Sequence, residues 1–447
     1  MSTSIKPAPA RDYRITTKSS WSGAWKYPAA VGALGLGIAA YGYKMDPERF
    51  AFSYLFAFVV ALTLPLGSLF FVLVQYITKS AWSVTVRRVA ELTMRPMPIF
   101  AVLVIPLVLT IGHLFPWLGA KHAAPPENDT SSESPIAEAR GLESHEPAAL
   151  RDLPVANIKR MEHAEERAED NIIVHKHAYL NRQFFLIRLI AYLLIWTWLV
   201  QKYFRWSTDQ DKTKALENTA AGQRFAPAGL LLFGFTLTYF AFDWLLSLDG
   251  TWYSTIFGVQ IFAQCALFQI ASLILLTLAL RKSGLLGDTV TVEHYHDLGK
   301  FLFGWIVFWS YISFAQFFLT WYSNIPDEVA WFHKRWHDNG GSWKNFSIAL
   351  VLMHFFIPFW FLMSRNIKRK LPLLATGAVC MIVMHVVEVY WIIMPNLGPF
   401  EPSIVDLGCL AGVFGVYLAA VLRGMEDYSL VAIGDPRLAR ALDFENA

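Results

Sequence analysis

Seven ionisable side chains stand within or at the edges of strongly apolar stretches: His113, Arg188, Asp243, Asp249, His354, His385 and Glu388. A charge in hydrocarbon is costly and persists where it is paired or where it does chemistry. His385 and Glu388 are three residues apart, which puts them on one face of a helix. A carboxylate beside an imidazole is a candidate proton-passing pair, because histidine titrates near neutrality. Asp243 and Ser247 make a second polar stripe. Arg188 calls for an anion, with Asp243 and Glu388 as the candidates. The set is read as a proton-transfer group with no complete active site and no metal centre. The competing reading is static: ion pairs and hydrogen bonds that hold helices together.

The elements that must position these residues are membrane spans. The chain is 55% hydrophobic and only 16% charged, against roughly 25% charged residues in soluble domains. A span needs about 20 apolar residues. Ten stretches qualify: 27–44, 51–77, 97–118, 183–203, 227–247, 254–280, 300–322, 345–364, 373–394 and 404–424. The first is short and rich in glycine. The expected fold is therefore an all-α integral membrane protein of about ten transmembrane helices. Its organisation reads as an N-terminal tail (1–26), helices one to three (27–118), a long connection (119–182), helices four to ten (183–424) and a C-terminal tail (425–447). The first 26 residues are polar and basic and lack the apolar core of a secretory signal.

Lysine and arginine are distributed unevenly. Five lie in the N-terminal tail, four in 78–96, five in 201–226 and four in 365–370, while 248–253 and 395–403 have none. The positive-inside rule then puts both termini in the cytoplasm and the connection 119–182 outside. On that orientation Asp243 lies about one turn below the outer end of the fifth span, with Asp249 just beyond it. Arg188 falls in the outer half of the fourth span and His113 near the outer end of the third. His354 and His385 fall near mid-membrane, and Glu388 one turn further out. Asp406 begins the tenth span on the outer side. The inner half offers mainly Gln75 and Gln269, too little to trace a continuous proton wire inward.

Two histidines at mid-membrane cannot serve a diheme cytochrome b, which needs four axial ligands. The three cysteines, Cys265, Cys380 and Cys409, cannot supply a four-thiolate cluster. No cofactor is therefore expected in this chain, and a redox role would depend on partner chains or on quinone. Quinol chemistry needs a proton acceptor near each hydroxyl and an apolar, aromatic slot. Outer-half His, Asp and Glu among many Phe and Trp are compatible with that, and equally with a water-filled half-channel. The connection 119–182 begins Pro-, Ser- and Glu-rich and then turns charged and helix-permissive from Ile158 to Ile173. It reads as a docking surface or, in its first half, as a spacer. The connection 323–344 carries Trp331, Phe332, Trp336 and Trp343, which suits an interfacial belt or a lid.

Four segments carry a resemblance: FSYLFAFVVALTLPLGSLFFVLVQ (52–75), HAYLNRQFFLIR (177–188), FDWLLSLDGTWYSTIFG (242–258) and YHDLGKFLFGWIVFWSYISFAQFFLTWYSNIPDE (295–328). They resemble the ActF-type membrane subunits of alternative complex III, the bacterial quinol:cytochrome c oxidoreductase, within the NrfD-like superfamily. The paralogous ActC-type subunits are similar in architecture. The resemblance implies two four-helix bundles, helices two to five and six to nine, with helices one and ten peripheral. It implies a place in the bacterial inner membrane beside an ActC-like paralogue, iron–sulfur and c-type cytochrome subunits, and a terminal oxidase as a further partner. Haem c and iron–sulfur clusters would reside in those partners, with quinone as a candidate ligand. The function so implied is a non-haem subunit of a quinol-oxidising respiratory complex, supplying a proton path and scaffold. Two rivals stand beside it: a purely structural scaffold and a stand-alone ion-coupled carrier. No nucleic-acid partner is expected.

Overall fold

The structure, a computed structural model, describes residues 13–118, 175–176 and 178–446. Among these residues all regular structure is helical. The long helices are α1 (Lys26–Met45), α2 (Pro47–Ile77), α3 (Val84–Leu109, broken into short turns after Met94), α4 (Arg182–Thr213), α5 (Leu216–Trp244), α6 (Phe257–Lys282) and α7 (Val292–Ser323). A shorter α8 (Pro326–Trp336) precedes α9 (Lys344–Met363), α10 (Leu371–Ile393), α11 (Ile404–Asp427) and a final turn, α12 (Leu438–Leu442). The chain is an all-α protein of the multi-pass membrane type.

Local sequence explains the boundaries. Asp46 accepts a hydrogen bond from the Arg49 amide, and Pro47 occupies the first turn of α2, where its missing N–H is no loss. Asn181 caps α4 through the Phe184 amide, and Lys214 ends that helix in the left-handed region at φ 57°. Ser403 and Asp406 close a reciprocal cap on α11.

Nine helices among the described residues are long and apolar enough to cross a membrane. They are α2 to α7 and α9 to α11; the first expected span, α1, falls short of that apolarity. Yet α1 runs antiparallel along α11 over its whole length. Gly32 faces Gly415 and Gly35 faces Gly412, so close that a Cβ on Gly35 would lie 2.3 Å from the Gly412 nitrogen. Gly42 meets Val405 at the far end of the same seam. Small residues that let two backbones touch are a packing device of membrane helices.

The remaining helices group as expected. α2 packs on α3 and α5, and α4 on α5; α6 packs on α7 and α10, with α9 against α7 and α10. The two groups join where α2 meets α6. There a Cβ on Gly67 would lie 2.0 Å from the Cys265 carbonyl oxygen. α11 with α1 lies against α2 on the outside.

Two boundaries differ from the sequence expectation. The third span was placed at 97–118 with a basic connection, 78–96, before it. Instead the helix begins at Val84 and buries Arg87, Arg88 and Glu91 completely. The connection 323–344 reads in the sequence as an interfacial belt or a lid. Its Trp331 and Trp343 are instead core residues: Trp331 stacks on Trp252 at 4.9 Å, and the Trp343 indole donates to the Gly398 carbonyl. Trp336 is exposed, as a belt residue would be. Most of the connection 119–182, with the stretch Ile158–Ile173, lies outside the described residues.

Candidate functional site

Consider first the end of the molecule where α4 begins and α5 ends. Arg188 on α4 grips Asp243 on α5 with two parallel bonds, Nε to Oδ2 and Nη2 to Oδ1, both 2.8 Å. The Tyr192 hydroxyl donates to Oδ2 at 2.7 Å, and the remaining guanidinium nitrogen donates to the Tyr179 carbonyl. Both Asp243 oxygens are thus occupied, and the arginine also lies 3.9 Å below the Tyr179 ring. This is the bidentate geometry that makes Arg–carboxylate pairs strong and fixed. Of the two anions open to Arg188 in the sequence, the structure selects Asp243.

Glu388 on α10 has a different environment. It is fully buried at the junction of α6, α7, α9 and α10. Oε1 accepts from the Trp309 indole at 2.7 Å and from the Gln260 amide at 3.2 Å. Oε2 has no hydrogen-bond partner. The imidazole of His354 approaches it, with Nδ1 at 3.5 Å, too long for a good bond. The His354 ring lies flat on Trp309, centroids 3.9 Å apart and planes 5° off parallel. Neither of its nitrogens has a partner, and Gln264 leaves both side-chain atoms unpaired. His354 sits in a π-helical stretch, Leu350–Phe356, of α9. Such irregular turns occur disproportionately at functional sites.

His385, one turn before Glu388, bonds through Nε2 to the Thr63 hydroxyl at 2.8 Å and stacks on Phe268 at 4.3 Å. Its Nδ1 is free of partners. The expected His385/Glu388 pair therefore shares a face, but the imidazole aimed at Glu388 belongs to His354. The sequence did not single out Trp309, Gln260, Gln264 or Thr63. Their glutamines on one apolar helix, four residues apart, were the available signal.

The other expected residues lie apart from this group. Asp249 pairs with Lys334 at 2.9 Å, and Lys334 also reaches Asn396. Beside them Arg335 is buried and donates to the carbonyls of Trp331, Trp391 and Ile392, with its guanidinium 3.5 Å from the Trp331 ring. Burial pushes Arg335 down to about 9, with Asp249 acting in the opposite direction. His113 is exposed on the helix surface and joins neither cluster. Asp406 is held by Arg49, Ser53 and Tyr390.

The opposite end, where the sequence places the basic connection 78–96 beside spans poor in polar residues, holds a dense ionic knot. Glu91 bridges Arg87 and Arg88 at 2.9 and 2.8 Å. Arg88 continues to Asp211 and Ser207 on α4, and Arg87 to Asp435 in the C-terminal segment. Burial works against the Asp435 charge, but Arg87 and Arg437 more than offset it and hold the carboxyl well below its usual range. Between the knot and mid-membrane, the Ser68 hydroxyl links Gln269 at 2.7 Å and Thr93 at 2.8 Å. Among the described residues no cluster of three or more His, Cys, Asp or Glu side chains is arranged to hold a metal ion.

No family model matches the chain, and no curated protein matches it. What the structure defines is a class: a helical multi-pass protein whose buried polar groups, among the described residues, include closed ion pairs and a cluster around Glu388 with several atoms left without partners.

Proposed function

We propose that the chain is a non-haem membrane subunit of a quinol-oxidising respiratory complex, and that the Glu388 cluster carries protons within it. One observation supports this most: six side-chain atoms of Glu388, His354, His385 and Gln264 are buried without partners in one neighbourhood. Leaving such groups unmade costs about 1–3 kcal/mol each. A fold keeps that cost where a proton or water must be received. Glu388 Oε2 is the open acceptor, His354 the adjacent carrier, and Trp309 and Gln260 orient the carboxyl through its other oxygen. His385 and Thr63 extend the group towards α2, and Ser68, Gln269 and Thr93 lie beyond it. Asp243 with Arg188 would serve this path as a fixed charge pair. The resemblance of the four segments to ActF-type subunits supports the respiratory setting, with haem c and iron–sulfur groups in partner chains and quinone near the membrane face.

The rival scaffold reading also has an observation in its favour. The pairs Arg188–Asp243, Arg49–Asp406 and Arg88–Asp211 are closed and tie helices to one another. It predicts that substitution of Glu388 weakens assembly and leaves turnover per complex unchanged.

The test is purification of the tagged chain in mild detergent, with an optical spectrum and mass spectrometry of its partners. Haem c bands with iron–sulfur subunits are expected. A colourless chain without partners would overturn the respiratory reading and favour a carrier. Given the complex, Glu388→Gln is expected to lower proton release per quinol oxidised while the complex stays assembled.

A further inference from the structure

The water-facing third of α4 carries a feature that the buried clusters do not use. The apolar run of α4 extends from Phe184 to Val200, about 26 Å at 1.5 Å per residue. That nearly matches the hydrocarbon thickness of a bilayer. Immediately beyond it lies a surface groove of about 510 Å³, lined by Trp198, Gln201, Lys202, Arg205, Trp206 and Asp209. Lys202 is held among three aromatic faces: its ammonium is 4.6 Å from the Trp198 ring, 5.1 Å from Trp206 and 4.2 Å from Phe225 of α5. No hydrogen bond or ion pair engages the side chain of Lys202 or Arg205 among the described residues, although Arg205 lies one turn from Asp209. Asp209, about two turns further along α4 than Lys202, is exposed and also lines the groove.

The same face of α4 continues into the membrane as an exposed apolar track. Trp198, Leu194, Ile190 and Ile187 recur at intervals of four, four and three residues, and all are exposed. That spacing is one helical stripe. Two cations without carboxylate partners thus sit at the head of a hydrocarbon-facing track, with tryptophans at the boundary between them.

We propose that this groove binds the phosphate of an anionic membrane phospholipid, with Lys202 and Arg205 on the headgroup and one acyl chain along Trp198, Leu194 and Ile190. Charge complementarity selects an anionic headgroup, and the position at the end of the apolar run selects a lipid. Lysine and arginine clustered just beyond the end of a membrane helix attract such headgroups. The inference stands independently of the respiratory reading.

The experiment is native mass spectrometry of the full chain, with any co-purifying subunits, supplied with phosphatidylglycerol or phosphatidylcholine of equal chain length. The wild type is expected to retain phosphatidylglycerol on the order of tenfold more than phosphatidylcholine. Lys202→Gln together with Arg205→Gln keeps much of the side-chain stems and is expected to abolish that preference. Arg182→Ala, at the other end of α4, is expected to leave it intact. Equal retention of the two lipids by the wild type would overturn the site. So would a preference that survives the double change, or one lost equally in Arg182→Ala. If the double variant fails to fold, quenching of wild-type tryptophan fluorescence by acyl-brominated lipids decides. Stronger quenching by the phosphatidylglycerol form, reduced in Trp198→Phe, supports the site; equal quenching by both lipids overturns it.

Discussion

Asp243 and Glu388 are both carboxylates with no solvent exposure, both near the same end of the bundle, yet they are built for different things. Asp243 meets a guanidinium that matches it bond for bond, with a phenol in addition. Glu388 meets an indole and an amide on one oxygen, and on the other only the His354 imidazole at 3.5 Å, with no hydrogen bond. Closed pairs fix geometry, whereas an oxygen left open keeps a carboxyl available to a mobile proton. Burial alone does not separate the two carboxylates; the count of satisfied lone pairs does.

The contrast can be broken by substitution. Asp243→Ala strands Arg188 in a buried site and is expected to cost about 3–5 kcal/mol of stability. Thermal unfolding in detergent would measure it. Replacing both partners, Asp243→Leu with Arg188→Met, should recover most of that loss, because a buried pair can be exchanged for packed apolar groups at little cost. Failure to recover would mean that Asp243 has a role beyond pairing. Gly35→Val probes a contact with no charge at all. It forces α1 from α11 and should cost about 1–3 kcal/mol, read as increased protease access to the N-terminal segment.

A smaller effect should appear in acid. The Asp435 carboxyl titrates lower in the folded protein than in the unfolded chain, so its contribution is present above the ordinary Asp value of about 4. It is lost as pH falls below that value, and the C-terminal segment should then exchange its amide hydrogens faster, with Asp435→Asn removing the pH dependence. The smallest expected change in stability is that of Glu388→Gln, under about 1 kcal/mol, since the amide oxygen still accepts from Trp309 and Gln260. A large loss of stability there would make Glu388 an anchor like Asp243 and end the distinction.

Hydropathy alone made the helical membrane class legible, and spacing put His385 and Glu388 on one face. The demand of Arg188 for an anion was also readable, down to the two candidates. What the sequence concealed were partners remote along the chain. Arg87 and Arg88 looked like a basic connection because Asp211 and Asp435, which neutralise them with Glu91, lie more than a hundred residues away. A window of hydropathy cannot see that compensation. The placement of His354 on Glu388 was hidden for a related reason: a π-helical stretch changes which way a side chain faces without any mark in a 3.6-residue period. α1 shows the converse. Its glycines lower its apolarity below that of the nine spans, and the same glycines supply its contact with α11.

That seam also bears on how the molecule is made. α1 is made before α11, with the other long helices between them, so the surface α1 fits does not exist until those helices have been made. Until then its glycine face has only lipid against it. The closing of α1 onto α11 is therefore a late event that joins two helices far apart in the chain. A chain halted before Ile404 should display α1 as an unattached helix, open to crosslinkers and to the quality-control proteases that patrol unfinished membrane proteins.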